Sequence, residues 1–130
     1  MKRLLIVLFS AMFIFGCSNS QVNSASTYRQ ITMNEAISMM NEETGYIILD
    51  VRRPDEFAEG HIPGAINVPN EDIGTEEIPN LPDKNQLILV YCRSGRRSKQ
   101  ASEKLVQLGY TNIVEFGGIL DWPGKTVAGE

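Results

Sequence analysis

A cysteine inside an arginine-rich loop is the strongest chemical signal in the sequence. Within seven residues the loop holds this cysteine, three arginines and a glycine, Cys92-Arg93-Ser94-Gly95-Arg96-Arg97-Ser98. A strand pattern precedes the loop and a helix pattern follows it, so the loop leads into a helix N-terminus. Unpaired N–H groups at that N-terminus and the guanidinium charges both favour the thiolate, the nucleophilic form of cysteine. The sequence therefore predicts Cys92 as a catalytic nucleophile.

The same loop is suited to bind a small anion. Gly95 permits a tight turn in which main-chain N–H groups point inward. The arginines can hold an anion through bidentate hydrogen bonds, and at least one of them is expected to be solvated instead. We predict as substrate-binding the six residues after the cysteine, Arg93, Ser94, Gly95, Arg96, Arg97 and Ser98.

Two apolar segments place polar side chains at one edge of a predicted sheet. Leu87 to Tyr91 is apolar throughout, as in a buried central strand, and Cys92 follows it. Tyr46 to Leu49 is a second such run and ends at Asp50. Ligands of parallel sheets bind beyond the carboxyl ends of the strands. Cys92 and Asp50 are therefore expected to lie close together if their strands are neighbours.

The other patterns complete an alternation of strands and helices. A capping box of Thr32 and Glu35 predicts a helix start, and Pro54 suits the first position of a second helix. Such an alternation predicts an α/β domain with a mostly parallel sheet. Further strands are predicted at 65–68 and 113–116, a loop with one helical turn at 70–86, a helix along 98–108, helix ends at Gly45, Gly60 and Gly109, and a turn at Gly117-Gly118.

Several polar residues near these elements have a structural and a catalytic interpretation. Asp50 either contacts substrate or supports the loop, by pairing with a loop arginine or capping a turn, and buried charges usually have such partners. Arg52 has the same two interpretations. His61 lies in a turn and is predicted to be structural rather than a general base. Trp122 is expected to pack against the sheet or to form a wall of the pocket, and Tyr91 to lie in the core.

These segments together resemble the rhodanese-type sulfurtransferases. The loop from Cys92 to Ser98 resembles the active-site loop of that family. A second characteristic segment of that family resembles the stretch from Leu49 to Phe57 followed by Gly60-His61-Ile62-Pro63-Gly64-Ala65-Ile66-Asn67. The C-terminal end of the family resembles Gly117-Gly118-Ile119 with Trp122. The resemblance implies a rhodanese-like three-layer α/β/α domain with a mostly parallel five-stranded sheet over residues 28–130.

The resemblance also implies a two-step reaction. Cys92 would take the outer sulfur of thiosulfate or a persulfide donor, become a persulfide, and pass the sulfur to a thiol or to cyanide. This chemistry implies no metal and no organic cofactor. It requires the Cys92 sulfur to be open to the terminal atom of the donor.

Two other functions stay open. A phosphatase of the Cys-x5-Arg class needs an arginine six positions after the cysteine, but Ser98 stands there and Arg97 is one place early. A persulfide carrier or a protein-binding module without turnover would belong to a different class. A binding module does not need Cys92, whereas a carrier needs the same loop as an enzyme. Turnover with a free donor and acceptor separates the enzyme from the carrier.

Composition narrows the remaining possibilities. The chain has 130 residues, 42% apolar, which predicts one domain with an ordinary core. A net charge of −4 makes nucleic acid a poor partner, because no basic field covers the surface. Two cysteines are too few for a disulfide framework, and Cys17 and Cys92 stand in unlike surroundings. We expect a monomer in which these two cysteines do not pair.

The N-terminal segment predicts export. A basic start precedes an apolar stretch from Leu4 to Phe15, which is too short to span a bilayer and suits a signal peptide. The stretch ends in Ile14-Phe15-Gly16-Cys17, which resembles a bacterial lipobox. The resemblance implies a lipoprotein signal peptide at residues 1–16, a lipidated Cys17 with a flexible tether at 17–27, and an extracytoplasmic protein anchored to a bacterial membrane.

This interpretation predicts that Cys17→Ser abolishes acylation. In a bacterial host fed labelled palmitate, the wild-type chain should take up label and enter the detergent phase on phase partitioning. The Cys17→Ser chain should do neither, because the acyl chains supply the membrane affinity. Cys92→Ser is the matched control and should keep its label. Label retained by Cys17→Ser would show that the lipobox interpretation is wrong.

Overall fold

The computed structural model describes residues 27–130. The predicted signal peptide, Cys17 and the tether up to residue 26 lie outside the described residues. Within them, one sheet is built from five parallel strands in the spatial order β1-β5-β4-β2-β3. In chain order the strands are β1 Arg29–Gln30, β2 Ile47–Asp50, β3 Ile66–Asn67, β4 Ile88–Cys92 and β5 Ile113–Gly118.

Three helices cover the two faces of this sheet. Alternate residues of β4 face opposite sides, so Leu89 and Tyr91 pack in one core and Ile88, Val90 and Cys92 in the other. The first core includes Ala36 and Phe57 from two helices, and the second includes Ala101 and Leu105 from the third. The helices are α1 Met33–Glu42, α2 Pro54–Glu59 and α3 Arg96–Gln107, and short 3-10 turns lie at Asn70–Asp72 and Ile119–Asp121. The predicted three-layer α/β/α architecture is confirmed.

Local signals explain most element ends. The Thr32 hydroxyl accepts the N–H of Glu35 at 3.1 Å, as the capping box predicts for α1. Pro54 opens α2 and Gly60 follows its last residue. The first helix ends at Glu42, three residues before Gly45, which has a φ of +69° and lies in the connection to β2. A helix of ten residues therefore ends without the predicted glycine cap.

The register brings the polar strand ends together. Asp50 is paired with Tyr91, the residue before Cys92, so the carboxyl ends of β2 and β4 are adjacent as expected. On the other side β4 pairs with β5, and an irregularity after Val90 brings Cys92 opposite Gly118. The strand β5 thus continues through the glycine pair, where the sequence predicted a turn.

Gly118 is required by the close approach of the Cys92 loop. A Cβ atom built there would lie 2.0 Å from the carbonyl oxygen of Arg93 and 2.5 Å from the amide nitrogen of Ser94. These are main-chain atoms that cannot move aside as a flexible side chain would. The loop therefore lies against β5 only because β5 carries no side chain at this position.

We predict that Gly118→Ala lowers the free energy of unfolding by about 1–3 kcal/mol, as overpacking in a dense interior does. Urea denaturation monitored by Trp122 fluorescence measures the loss. Gly74→Ala is the matched control, because a Cβ atom there meets nothing within 4 Å. It should change stability by no more than about 0.5 kcal/mol. Equal effects of the two substitutions would contradict the steric explanation.

Candidate active site

Cys92 lies where the sequence predicted it, between a central strand and a helix N-terminus. Its Sγ accepts the amide N–H of Gly95 at 3.0 Å. Gly95 is the N-cap of α3 and has a φ of +111°. A residue with a side chain would be strained in this backbone conformation. The first helical bond runs from the Lys99 amide to the Gly95 carbonyl, so the three amides between them have no acceptor within the helix. The positive end of α3 is therefore directed at the Cys92 loop.

The thiol itself is more enclosed than the sequence analysis expected. Cys92 is 1% exposed, whereas Arg93, Ser94 and Arg96 are exposed. The side chains of Arg93 and Arg96 thus face solvent, whereas the Cys92 sulfur is buried. The expectation that the sulfur is open to a donor is therefore wrong for this conformation, because the strand end and the loop cover the sulfur.

Arg97 makes an ion pair that ties the loop to another helix. Its guanidinium donates two hydrogen bonds to Glu56 of α2, at 2.5 Å and 3.0 Å. These bonds lower the pKa of Glu56 to about 2, against the opposing effect of its burial, and the same pairing raises the pKa of Arg97. Arg97 therefore positions the start of α3, and its predicted contact with substrate stays a prediction, as do those of Arg93 and Arg96.

Ser98 is buried and lies between Cys92 and an acidic residue that sequence reasoning missed. The Ser98 Oγ lies 3.5 Å from the Cys92 Sγ and donates to the Glu115 carboxylate at 2.6 Å. Glu115 is 3% exposed and also accepts the amide N–H of Gly117 at 2.8 Å. The available signal was a single charged residue inside the apolar strand Ile113–Gly118.

Asp50 and Arg52 pair with each other. The Asp50 carboxylate accepts hydrogen bonds from the main-chain amide of Arg52 at 2.9 Å and from the Arg52 Nη2 at 2.7 Å. The same Nη2 also donates to the Gly60 carbonyl at 2.7 Å. Burial opposes ionisation of Arg52, but the hydrogen bonds that Arg52 donates to Asp50, with the charge of that carboxylate, outweigh burial and raise the pKa of Arg52. Asp50 thus caps the turn after β2, one of the two predicted support roles. It does not pair with an arginine of the described Cys92 loop.

Tyr91, the residue opposite Asp50, supports the same edge of the sheet from the core. It is fully buried, as predicted, and its hydroxyl accepts the amide N–H of Ile62. Burial, together with the nearby Asp50 carboxylate, raises the pKa of Tyr91. The phenol therefore stays neutral and links β4 to the segment after α2.

His61 and Trp122 have structural surroundings. The His61 Nδ1 lies 2.8 Å from the carbonyl oxygen of Phe57, and its ring stacks on the Phe57 ring at 3.7 Å. Trp122 packs against the core that contains Tyr91, and its indole N–H donates to the Lys125 carbonyl. Among residues 27–130, no group of three or more His, Cys, Asp or Glu side chains is arranged to hold a metal ion. In the same range, no helix has the length and apolar character needed to cross a membrane.

The Glu56–Arg97 pair predicts an acid-sensitive part of the stability. Because the pKa of Glu56 is lower in the folded chain, its contribution is present above the unfolded value of 4.5 and is lost as pH falls toward about 2. Arg97→Gln should lower the urea midpoint at pH 7 and reduce the further loss between about pH 5 and pH 3. Asp55→Asn breaks only an exposed pair and should keep the wild-type pH dependence. An unchanged pH dependence in Arg97→Gln would contradict this account.

Comparison with known proteins agrees with this geometry. The pattern of the rhodanese-like domain matches residues 32–125. Thiosulfate sulfurtransferase PspE of Escherichia coli (strain K12) is 41% identical over 73 residues, which cover 56% of this chain and 70% of that protein. The putative sulfur carrier protein YrkF of Bacillus subtilis (strain 168) is 31% identical over 104 residues, 79% of this chain and 55% of that protein.

A solved structure shares the fold as well. It is described as rhodanese with anions from E. coli, is 40% identical, and superposes with a TM-score of 0.58 over 65% of this chain and 99% of its own. The residues that match the pattern of the rhodanese-like domain, 32–125, include the strand, loop and helix that hold Cys92. On the extent of the pattern and the shared architecture, this chain belongs to the rhodanese-like sulfurtransferase family.

Proposed function

We propose that the chain is a thiosulfate sulfurtransferase of the rhodanese type, which transfers a sulfur atom through a persulfide on Cys92. The observation that supports this most directly is the 3.0 Å hydrogen bond from the Gly95 amide to the Cys92 Sγ at the start of α3. That bond and the free amides beside it stabilise negative charge on sulfur. A sulfur anion is the species that both halves of the transfer require.

In the first step the Cys92 thiolate attacks the outer sulfur of thiosulfate. A bond forms between the Cys92 Sγ and that sulfur as the sulfur–sulfur bond of the donor breaks. Sulfite leaves with the bonding electron pair, and the transferred sulfur carries the negative charge of the new persulfide. The amides of Arg96, Arg97 and Ser98 supply N–H groups near the growing charge.

In the second step an acceptor removes the outer sulfur. A thiolate or cyanide attacks that atom, the persulfide bond breaks, and its electron pair returns to Cys92 as the thiolate. Splitting one transfer into two displacements is covalent catalysis and needs no proton transfer between ionised partners. The chemistry of both steps is complete without a metal or an organic cofactor.

The exposed charges of the Cys92 loop support a small anionic donor. Arg93 and Arg96 are exposed beside Cys92 as charges for an anion, and the loop has to move before any donor reaches the buried sulfur. Thiosulfate is such an anion, and PspE is named for it. A phosphoryl group is disfavoured, because Ser98 holds the sixth position after Cys92 and Arg97 is bound by Glu56.

The sulfur-carrier alternative uses the same site and is favoured by the name given to YrkF. A carrier would load sulfur on Cys92 and release it only to a dedicated protein partner. For the rest of the chain, we propose lipid attachment at Cys17 and an extracytoplasmic location at a bacterial membrane. The folded domain would then act as a monomer on a short polar tether.

The proposal predicts that thiosulfate adds one sulfur atom to Cys92. Mass spectrometry of a domain that starts at Ser26 should show the added mass after incubation with thiosulfate and its loss after cyanide or a thiol. The reaction should turn over, releasing sulfite and thiocyanate in amounts that exceed the protein. Cys92→Ser should show neither loading nor turnover, because its hydroxyl is a far weaker nucleophile.

A matched control separates the binding role of the loop charges from the chemistry. Arg96→Ala should raise the KM for thiosulfate with a smaller effect on kcat, whereas Arg29→Ala, an exposed arginine on β1, should leave both unchanged. Loading without release to small acceptors would favour the carrier. The absence of loading at Cys92 would overturn the proposed function.

A further inference from the structure

An exposed leucine lies directly beside the Cys92 loop. Leu120 is 63% exposed, and Val127 at 43% is the other exposed large apolar residue among residues 27–130. The Leu120 amide donates a hydrogen bond to the Arg93 carbonyl at 3.2 Å, so the backbone of this leucine is attached to the loop. Apolar surface is therefore present within one hydrogen bond of the segment that covers the sulfur.

Three exposed cationic side chains belong to the same loop or adjoin it. Arg93 lies in the loop, Arg96 is the first residue of α3, and Lys99 follows within its first turn. In the part of the chain that the structure describes, none of the three forms an ion pair with an acidic side chain. The whole chain carries a net charge of −4, so these cations oppose its overall charge. Uncompensated cations beside an apolar side chain make a surface complementary to an acidic partner.

A polar cavity connects the apolar part of this surface with the cationic part. It has a volume of about 390 Å³, and its lining includes Ser94 and Gly95 of the loop, Lys99 of α3, and Asp121, the residue after Leu120. Asp121 is the one exposed acid in this lining. A cavity of this size admits a side chain of a docked molecule, since ligand pockets begin at about 300 Å³.

The burial of the sulfur favours a large partner over a small thiol. Cys92 is 1% exposed, so the loop must move before an acceptor reaches its sulfur. A ligand shifts such an equilibrium only by binding the open arrangement more tightly than the closed one. A protein that contacts Leu120 and Arg93 can supply this difference, because these two residues are hydrogen-bonded to each other at the loop. A small thiol has no comparable contacts.

We propose that the surface beside the Cys92 loop docks an acidic protein whose own cysteine lies next to an apolar side chain. This surface, the Leu120 patch, consists of Arg93, Arg96, Lys99 and Leu120. The leucine contributes affinity, and the cations orient the partner and speed its association. A bilayer is a poorer occupant, because it would cover the loop without supplying an acceptor.

The docked partner is the acceptor in the second step of the transfer. Its thiolate attacks the outer sulfur of the Cys92 persulfide and forms a new sulfur–sulfur bond. The bond to Cys92 breaks, its electron pair returns to Cys92 as the thiolate, and the partner leaves as a protein persulfide. This inference rests on the proposed function and names the class of acceptor.

Two matched peptides test the patch on the full chain without any sulfur donor. Each carries two leucines and one cysteine held as a mixed disulfide with thionitrobenzoate, and the flanking residues are glutamates in one peptide and lysines in the other. Attack by the Cys92 thiolate forms a disulfide with the peptide and releases coloured thionitrobenzoate. Each rate constant is divided by that peptide's rate constant with 2-mercaptoethanol, which removes differences in intrinsic reactivity. At about 20 mM salt the acidic peptide should react about tenfold faster, and this advantage should shrink toward about 0.5 M salt.

Three variants separate the parts of the patch. Leu120→Ser should slow the acidic peptide about three- to tenfold through loss of an apolar contact, and it should keep turnover of thiosulfate with cyanide within about twofold of wild type. Lys99→Gln should reduce the preference for the acidic peptide about threefold. Gln107→Glu is the matched control, because it changes the net charge equally at the other end of α3 and should keep the wild-type preference. All three positions are exposed, so none of these substitutions disturbs the core.

The outcomes that overturn the inference are specific. They are equal normalised rates for the two peptides, an unchanged rate in Leu120→Ser, or an effect of Gln107→Glu as large as that of Lys99→Gln. Binding of the non-acylated Cys17→Ser chain to phosphatidylglycerol vesicles, if Leu120→Ser abolished it, would assign the patch to a membrane and also overturn the inference. Peptide selectivity in a chain that thiosulfate does not load would overturn the proposed function and leave the docking surface intact. Loading without selectivity would do the reverse.

Discussion

The contact between the amide of Gly95 and the sulfur of Cys92 is the interaction on which the rest of the site depends. It forms only if β4 ends at the cysteine and α3 begins four residues later. That short connection requires a positive φ at Gly95 and a strand β5 without a side chain at Gly118. A buried sulfur next to a helix N-terminus is therefore a product of main-chain geometry more than of the nearby arginines.

Other parts of the domain hold this geometry from outside the loop. Glu56 anchors Arg97 and with it the first turn of α3 to α2, and Glu115 receives Ser98 from the same turn. On the neighbouring strand, Asp50 and Arg52 close the turn after β2 in a buried pair. The first turn of α3 and the turn after β2 are thus each held in place by a charged side chain.

The sequence predicted the elements whose signals are local and strong. The apolar run before Cys92 became the fully buried β4, and the capping box and Pro54 marked the starts of α1 and α2. The two-residue strand β1 was not foreseen from its own residues, because it is defined by pairing with β5 and carries no periodic pattern. The partners of Arg97 and Asp50 also escaped sequence reasoning, since the Arg97 contact spans 41 positions and Asp50 had several possible partners. Glu115 was visible only as a charge in an apolar strand.

The near-complete burial of Cys92 also affects how long its thiol survives. Thiolates that solvent reaches are oxidised stepwise to acids of sulfur, and the later steps cannot be reversed by thiols. Cys92 is the only cysteine among residues 27–130, so that region offers no second thiol to rescue a sulfenic acid. With 1% of the residue exposed, the main-chain cover that shields the sulfur from peroxide also shields it from a sulfur donor. Protection of the thiol and access to it are therefore opposed at the same atom.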